Sequence, residues 1–248
     1  MRRFAFTLVE LLTVIAIMAI LMAVFAPVFR SVKGAVQLSS ASRALGQMQL
    51  ATTMYQMDYD GQFPPAIQVL PDGRWHAWFG EQTYEGDFDR EKGVLRPYLK
   101  ALMAGDPTLT AEPYLGDGTG FGYNYGYLGS DLYVTGDWRR FPQSHNPANL
   151  AQLTDPSGTL VFATSAFYNV SWLPNGDGEK YEFNFFDPPE VWNGVPNVDF
   201  RHITTPVIDQ EAQLVRHEGK AIFAFADGRT ASLKMDQVTP EMFRRKAY

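Results

Sequence analysis

Glu10 is the only charged residue between Phe4 and Phe29. A carboxylate inside an apolar helix costs roughly 2.5–3.5 kcal/mol on insertion scales and is seldom left without a partner. Two remedies fit its position. It can sit at the membrane interface, reaching headgroups or taking a proton. Otherwise it needs a nearby cation, which a cleavage exposing a new α-amino group at Phe6, four residues away, would supply.

Other residues invite chemistry and support it less. His217 and Asp227, followed by Gly228, are separated by nine residues. At about 3.3 Å per residue a straight strand would hold them roughly 33 Å apart, so the expected roles are turn residue for Asp227 and strand entry or packing for His217. His76, His145 and His202 read as solitary polar histidines. Two acidic segments, Asp87/Asp89/Glu91 and Asn175/Asp177/Glu179, have alternating oxygen-bearing side chains that a loop could converge on calcium. Neither follows the helix–loop–helix calcium pattern, and solvated acidic turns are the expected state. Trp75, Trp78, Trp138, Trp172 and Trp192 could form a carbohydrate platform or a subunit interface, with packing the favoured reading. No serine-hydrolase elbow, zinc-protease helix motif or phosphate-binding loop is present. No catalytic residue is predicted, and the chain is not expected to be an enzyme.

The elements that would position these residues divide the chain unevenly. Residues 1–60 contain one Pro and two Gly, whereas 61–248 hold the other fifteen Pro and nineteen Gly. A helical head therefore joins a turn-rich body. The apolar run exceeds the roughly 20 residues that cross a hydrocarbon core. Arg2 and Arg3 would hold the amino end in the cytoplasm and place the body outside. Leu38, Ala41, Leu45, Met48, Thr52, Tyr55 and Tyr59 continue at helical steps, with Gln37, Ser40, Arg43, Gln47 and Gln56 opposite. The helix is expected to stop near Asp58–Asp60, because Gly61 suits a C-cap and Pro64-Pro65 cannot continue it. About 54 helical residues would make a rod of order 80 Å, with Pro27 and Gly34 as weak points.

In the body, Thr159–Ala166 reads as a strand and Ala148–Leu153 as a brief helix or turn. Ala221–Ala226 and Thr230–Met235 flank Asp227-Gly228, a hairpin signal. A two-residue turn would set Ile222 and Ala224 opposite Leu233 and Ala231, on an antiparallel sheet against which the amphipathic helix lies. The expected fold is α+β. Its segments are a leader at 1–5, a transmembrane helix at 6–30, its amphipathic continuation at 31–60 and an exported body at 61–248. The balance of 21 basic to 27 acidic residues gives a charge of −6, so no nucleic acid partner is predicted. With no cysteine, disulfides and thiolate metal sites are excluded.

Ala5-Phe6-Thr7-Leu8-Val9-Glu10, behind a short basic leader and before an apolar helix, resembles the signal of type IV pilins and type II secretion pseudopilins. Ala5 stands where that pattern has glycine. His217, nine residues, then Asp227-Gly228 is similar to an H-X9-DG signature of a bacterial pilin-like group. Met57–Pro64 and Tyr123-Asn124-Tyr125 resemble segments of the same kind of chain. The resemblance implies a pilin-like fold and cleavage by a prepilin peptidase between Ala5 and Phe6, with N-methylation of Phe6. It also implies pairing of Glu10 with a neighbouring subunit's amine, and assembly of pilin or pseudopilin subunits from an assembly platform in the bacterial inner membrane. Loss of the leader leaves 19 basic residues against 27 acidic, a charge of −8. The competing expectation is an exported or anchored hydrolase or carbohydrate-binding protein, cut after Ala26 by a conventional signal peptidase.

Overall fold

The computed structural model of the chain describes residues 8–99, 105–106, 109, 111–114, 118–140, 146–170, 176–200, 207–209, 214–216 and 219–246. The chain falls into two units, Met1–Ser39 and Ser40–Tyr248. Helix α1 (Leu8–Asp58) begins in the first and ends in the second. Its backbone stays helical through Pro27 and Gly34, the two expected weak points.

In the first unit, Leu8–Phe25 has a mean hydropathy of 2.7 and no buried residue. Leu, Ile, Val and Met side chains are exposed all round the helix. Such a surface is stable only in lipid or against other apolar surfaces.

In the second unit the same helix becomes one-sided. Ala41, Leu45, Met48, Ala51, Thr52 and Tyr55 are buried. Full burial of side chains the size of Leu45 and Met48 stabilises by roughly 1.5–3 kcal/mol each. Two details depart from the predicted faces. Gln56 is buried, as is Gln49, whose amide donates to the Ala226 carbonyl at 3.3 Å. Leu50, Met54 and Met57 are exposed, and Tyr59 lies half-exposed, stacked on Tyr55 at 4.1 Å. The helix ends where predicted: Gly61 has φ 81° and its N–H donates to the Gln56 carbonyl at 2.8 Å.

The helix lies on an antiparallel sheet made of β6 (Phe121–Tyr123), β7 (Leu160–Thr164), β12 (Lys220–Phe225) and β13 (Thr230–Lys234), in the order β13-β12-β7-β6. Ala224 pairs with Thr230, whose hydroxyl meets that of Ser42 at 2.8 Å. Paired residues share a face, so Ile222, Ala224, Thr230 and Ser232 form the helix side of this hairpin. On the opposite face Ala221, Phe223 and Phe225 join Leu160, Phe186, Phe200 and Phe243 in the main apolar core.

This register corrects the predicted one. Ala221 opposes Leu233, and Phe223 opposes Ala231, one residue out of the expected alignment. The loop holds three residues, Ala226, Asp227 and Gly228: Phe225 and Arg229 still bond across it, and Gly228 N–H donates to the Phe225 carbonyl at 3.0 Å. Gly228 adopts φ 96°, the left-handed residue that closes such a turn. One extra loop residue turns every side chain of a strand to the other face. Small Thr230 consequently meets the helix, with exposed Ser232 on the same face, while Leu233 packs toward the phenylalanines.

The rest of the second unit is short strands. β1 (Ile67–Val69), β2 (Trp75–Ala77), β3 (Gly80–Gln82) and β4 (Phe88–Asp89) form an antiparallel sheet. β8 (Ala166–Tyr168) pairs with β9 (Lys180–Glu182), which also takes β5 (Glu112–Pro113) in parallel. β10 (Val207–Asp209) and β11 (Leu214–Arg216) make a separate ribbon. Helix α2 (Leu132–Thr135) is a single turn ended by Gly136 at φ 66°. Residues 150–152 form the expected brief helix, with Asn149 as its cap.

Candidate functional site

The two regions singled out by chemistry lie at opposite ends of the sequence. At the first, Glu10 stands in the first turn of α1, and its backbone carbonyl accepts the Thr13 hydroxyl at 2.9 Å. Ala5 and Phe6 lie outside the described residues. At the second, the Asp227 carboxylate accepts the Arg229 N–H at 3.1 Å and so closes its own turn. The Arg229 guanidinium covers the Phe225 ring at 3.4 Å and donates to the Ser157 carbonyl. His217 lies outside the described residues, as do His145, His202, Trp172 and Asn175. His76 bonds through Nε2 to the Lys92 carbonyl at 2.8 Å.

The acidic segments are held by neighbouring residues. Asp89 accepts the Glu91 N–H at 3.0 Å and pairs with Lys92 at 3.2 Å, while Glu91 pairs with Arg96 at 2.7 Å. Asp177 accepts from the Glu179 N–H, Tyr181 hydroxyl and Asn169 amide at 2.9–3.0 Å. The Glu179 N–H foremost, then the Tyr181 and Asn169 donors, hold its carboxyl below the usual range. Among the described residues, no three His, Asp or Glu side chains form a metal-ligand group.

Tyr123-Asn124-Tyr125 has a definite structural role. The Tyr123 hydroxyl donates to the Pro64 carbonyl, just past the end of α1, at 2.9 Å. The Asn124 amide donates to the carbonyls of Leu160 at 2.9 Å and Phe243 at 3.0 Å. One buried side chain thus joins the start of β7 to the C-terminal segment. Gly122 beside it is required by close approach, since a Cβ there would stand 2.7 Å from the Phe185 backbone.

Asp187 was not singled out in the sequence. It is buried, and accepts from the Tyr133 hydroxyl and from the Asn197 amide at 2.6 Å. The Tyr125 and Tyr133 hydroxyls meet at 3.0 Å. Burial pushes the Asp187 carboxyl above its ordinary value, against the opposing pull of these donors. Asp187-Pro188-Pro189 reads locally as a turn, so no sequence signal marked its burial.

A membrane-length apolar helix with one glutamate in its first turn, running into a helix-on-sheet unit, defines a pilin-like class of architecture. Residues 1–26 match the family model of the prokaryotic N-terminal methylation motif. That match supports the resemblance to type IV pilins and pseudopilins and points to a structural protein. No curated protein and no solved structure matches the chain. Together the motif and the one apolar helix found among the described residues fit a membrane-anchored pilin-like precursor.

Proposed function

We propose that this chain is a structural subunit of a type IV pilus-like or type II secretion pseudopilus filament. The carrying observation is the methylation motif lying over the apolar span Leu8–Phe25, whose only charged residue is Glu10. A prepilin peptidase would cut between Ala5 and Phe6 and methylate the new amine. Before assembly Leu8–Phe25 would hold the subunit in the inner membrane, with the second unit outside. In the filament, lateral packing of such helices supplies the contact area, and pairing of Glu10 with the Phe6 amine of a neighbour sets register. Among the described residues, no catalytic constellation supports the alternative of a conventionally secreted hydrolase.

Mass spectrometry of the mature amino-terminal peptide tests the processing. Methylated Phe6 is the expected terminus; Pro27, or an intact Met1, overturns the reading. A Glu10→Ala chain is expected to remain membrane-bound yet enter filaments poorly, and normal incorporation would remove its register role.

A further inference from the structure

Trp138 is 52% exposed, whereas Trp78 and Trp192 are buried and donate their indole N–H groups to backbone carbonyls. Its exposure is built into the local fold. Gly136, in the left-handed region, ends α2 two residues before the ring. The Trp138 ring then meets Tyr133 edge-on, with centroids 5.5 Å apart at 68°. An edge-to-face contact leaves at least one indole face uncovered by that partner. Tyr133 is in turn fixed by its hydroxyl on buried Asp187, which Asn197 holds from the other side. The exposed ring therefore rests on a fixed neighbour, which lowers the cost of ordering it under a stacking ligand.

Beside the ring lies an open surface depression lined by Thr135, Gly136, Asp137, Trp138 and Arg139. Asp137 accepts from the Arg139 N–H at 3.3 Å and from Nε at 3.2 Å. The pair presents carboxylate acceptors next to guanidinium donors, with the Arg139 side chain 94% exposed. An apolar plane flanked by paired donors and acceptors matches a pyranose ring: C–H groups on one face and hydroxyls around its edge. A purely apolar ligand would leave the ion pair desolvated, and a simple anion would not use the indole.

We propose that Trp138, Asp137 and Arg139 form a saccharide-binding site, with Tyr133 as the positioning residue for Trp138. This site stands independently of the filament reading. The test uses the full chain in a detergent without a sugar headgroup, with cellobiose, N,N′-diacetylchitobiose and digalacturonate as probes. Saturation-transfer NMR and indole fluorescence report binding. At least one probe is expected to bind in the millimolar range or tighter and to perturb the indole signal. Trp138→Ala should weaken binding about tenfold or more, Trp138→Phe less, and Arg139→Ala should weaken it without altering the circular dichroism spectrum. The proposal is overturned if no probe binds at about 20 mM, or if Trp138→Phe, Trp138→Ala and Arg139→Ala all bind like the parent.

Discussion

Two buried polar residues carry disproportionate weight. Removing the Asn124 side chain would deprive the Leu160 and Phe243 carbonyls of a donor in a region without solvent. Asn124→Ala should cost about 2–3 kcal/mol, read from denaturant unfolding of the purified chain. Asp187 predicts a pH dependence. Its folded-state pKa is raised above the ordinary 3.8 by burial. The stabilisation linked to its proton is fully present below about pH 4 and is lost as pH rises through the raised value. Tyr125, Tyr133 and Asn197 surround the carboxyl with neutral groups. In Asp187→Asn, which cannot ionise, this loss should vanish. The unfolding midpoint of the parent should therefore fall relative to the variant as pH rises above about 4. Parallel profiles would contradict the assignment. A second alkaline contribution comes from Tyr55, pushed up to about 12 by burial and by the neighbouring Tyr59 and Tyr98.

At the scale of elements, the contact of α1 with its sheet is the main joint of the second unit. Leu45 is fully buried there, so Leu45→Ala should cost about 2–5 kcal/mol in chemical denaturation. Gly46, one residue on, predicts the opposite sign. A Cβ at Gly46 would meet only the Thr230 methyl at 4.0 Å, an ordinary contact. Because Gly is the weaker helix former by about 0.8–1.0 kcal/mol, Gly46→Ala should stabilise by up to that amount, seen as a raised thermal midpoint. These elements were legible to different degrees. Periodicity marked Ala41, Leu45, Met48, Thr52 and Tyr55 as the packing stripe, and Gly61 with Pro64 marked its end. The hairpin was found from Asp227-Gly228, but its register was not. Local sequence does not say whether Ala226 belongs to strand or turn, and that single residue decides which face meets the helix. Leu50, Met54 and Met57 look like core residues by type, and they are exposed because the sheet covers only one side of α1. The Asp187 cluster was invisible because its members lie far apart in sequence and each reads locally as a turn or loop residue.

For the whole molecule, the division between Ser39 and Ser40 has a direct test. The second unit contains its own core on both faces of the β13-β12-β7-β6 sheet. A chain of residues 40–248 should therefore be soluble and unfold cooperatively, whereas the full chain should partition into lipid vesicles through Leu8–Phe25. Calorimetry and vesicle flotation would check the two halves of this statement. Aggregation of the shorter chain without a cooperative transition would show that the second unit depends on the first.

The hydroxyl contact between Ser42 and Thr230 joins residues 188 positions apart, and Asn124 reaches Phe243 across another 119. Such distant closures make folding slow. A nascent chain emerging from the ribosome offers the early helix no complete sheet to rest on until β12 and β13 have been made. The second unit consequently closes only after its last two strands have been synthesised. If export runs alongside translation, the polypeptide would cross the membrane still open and close only on the far side.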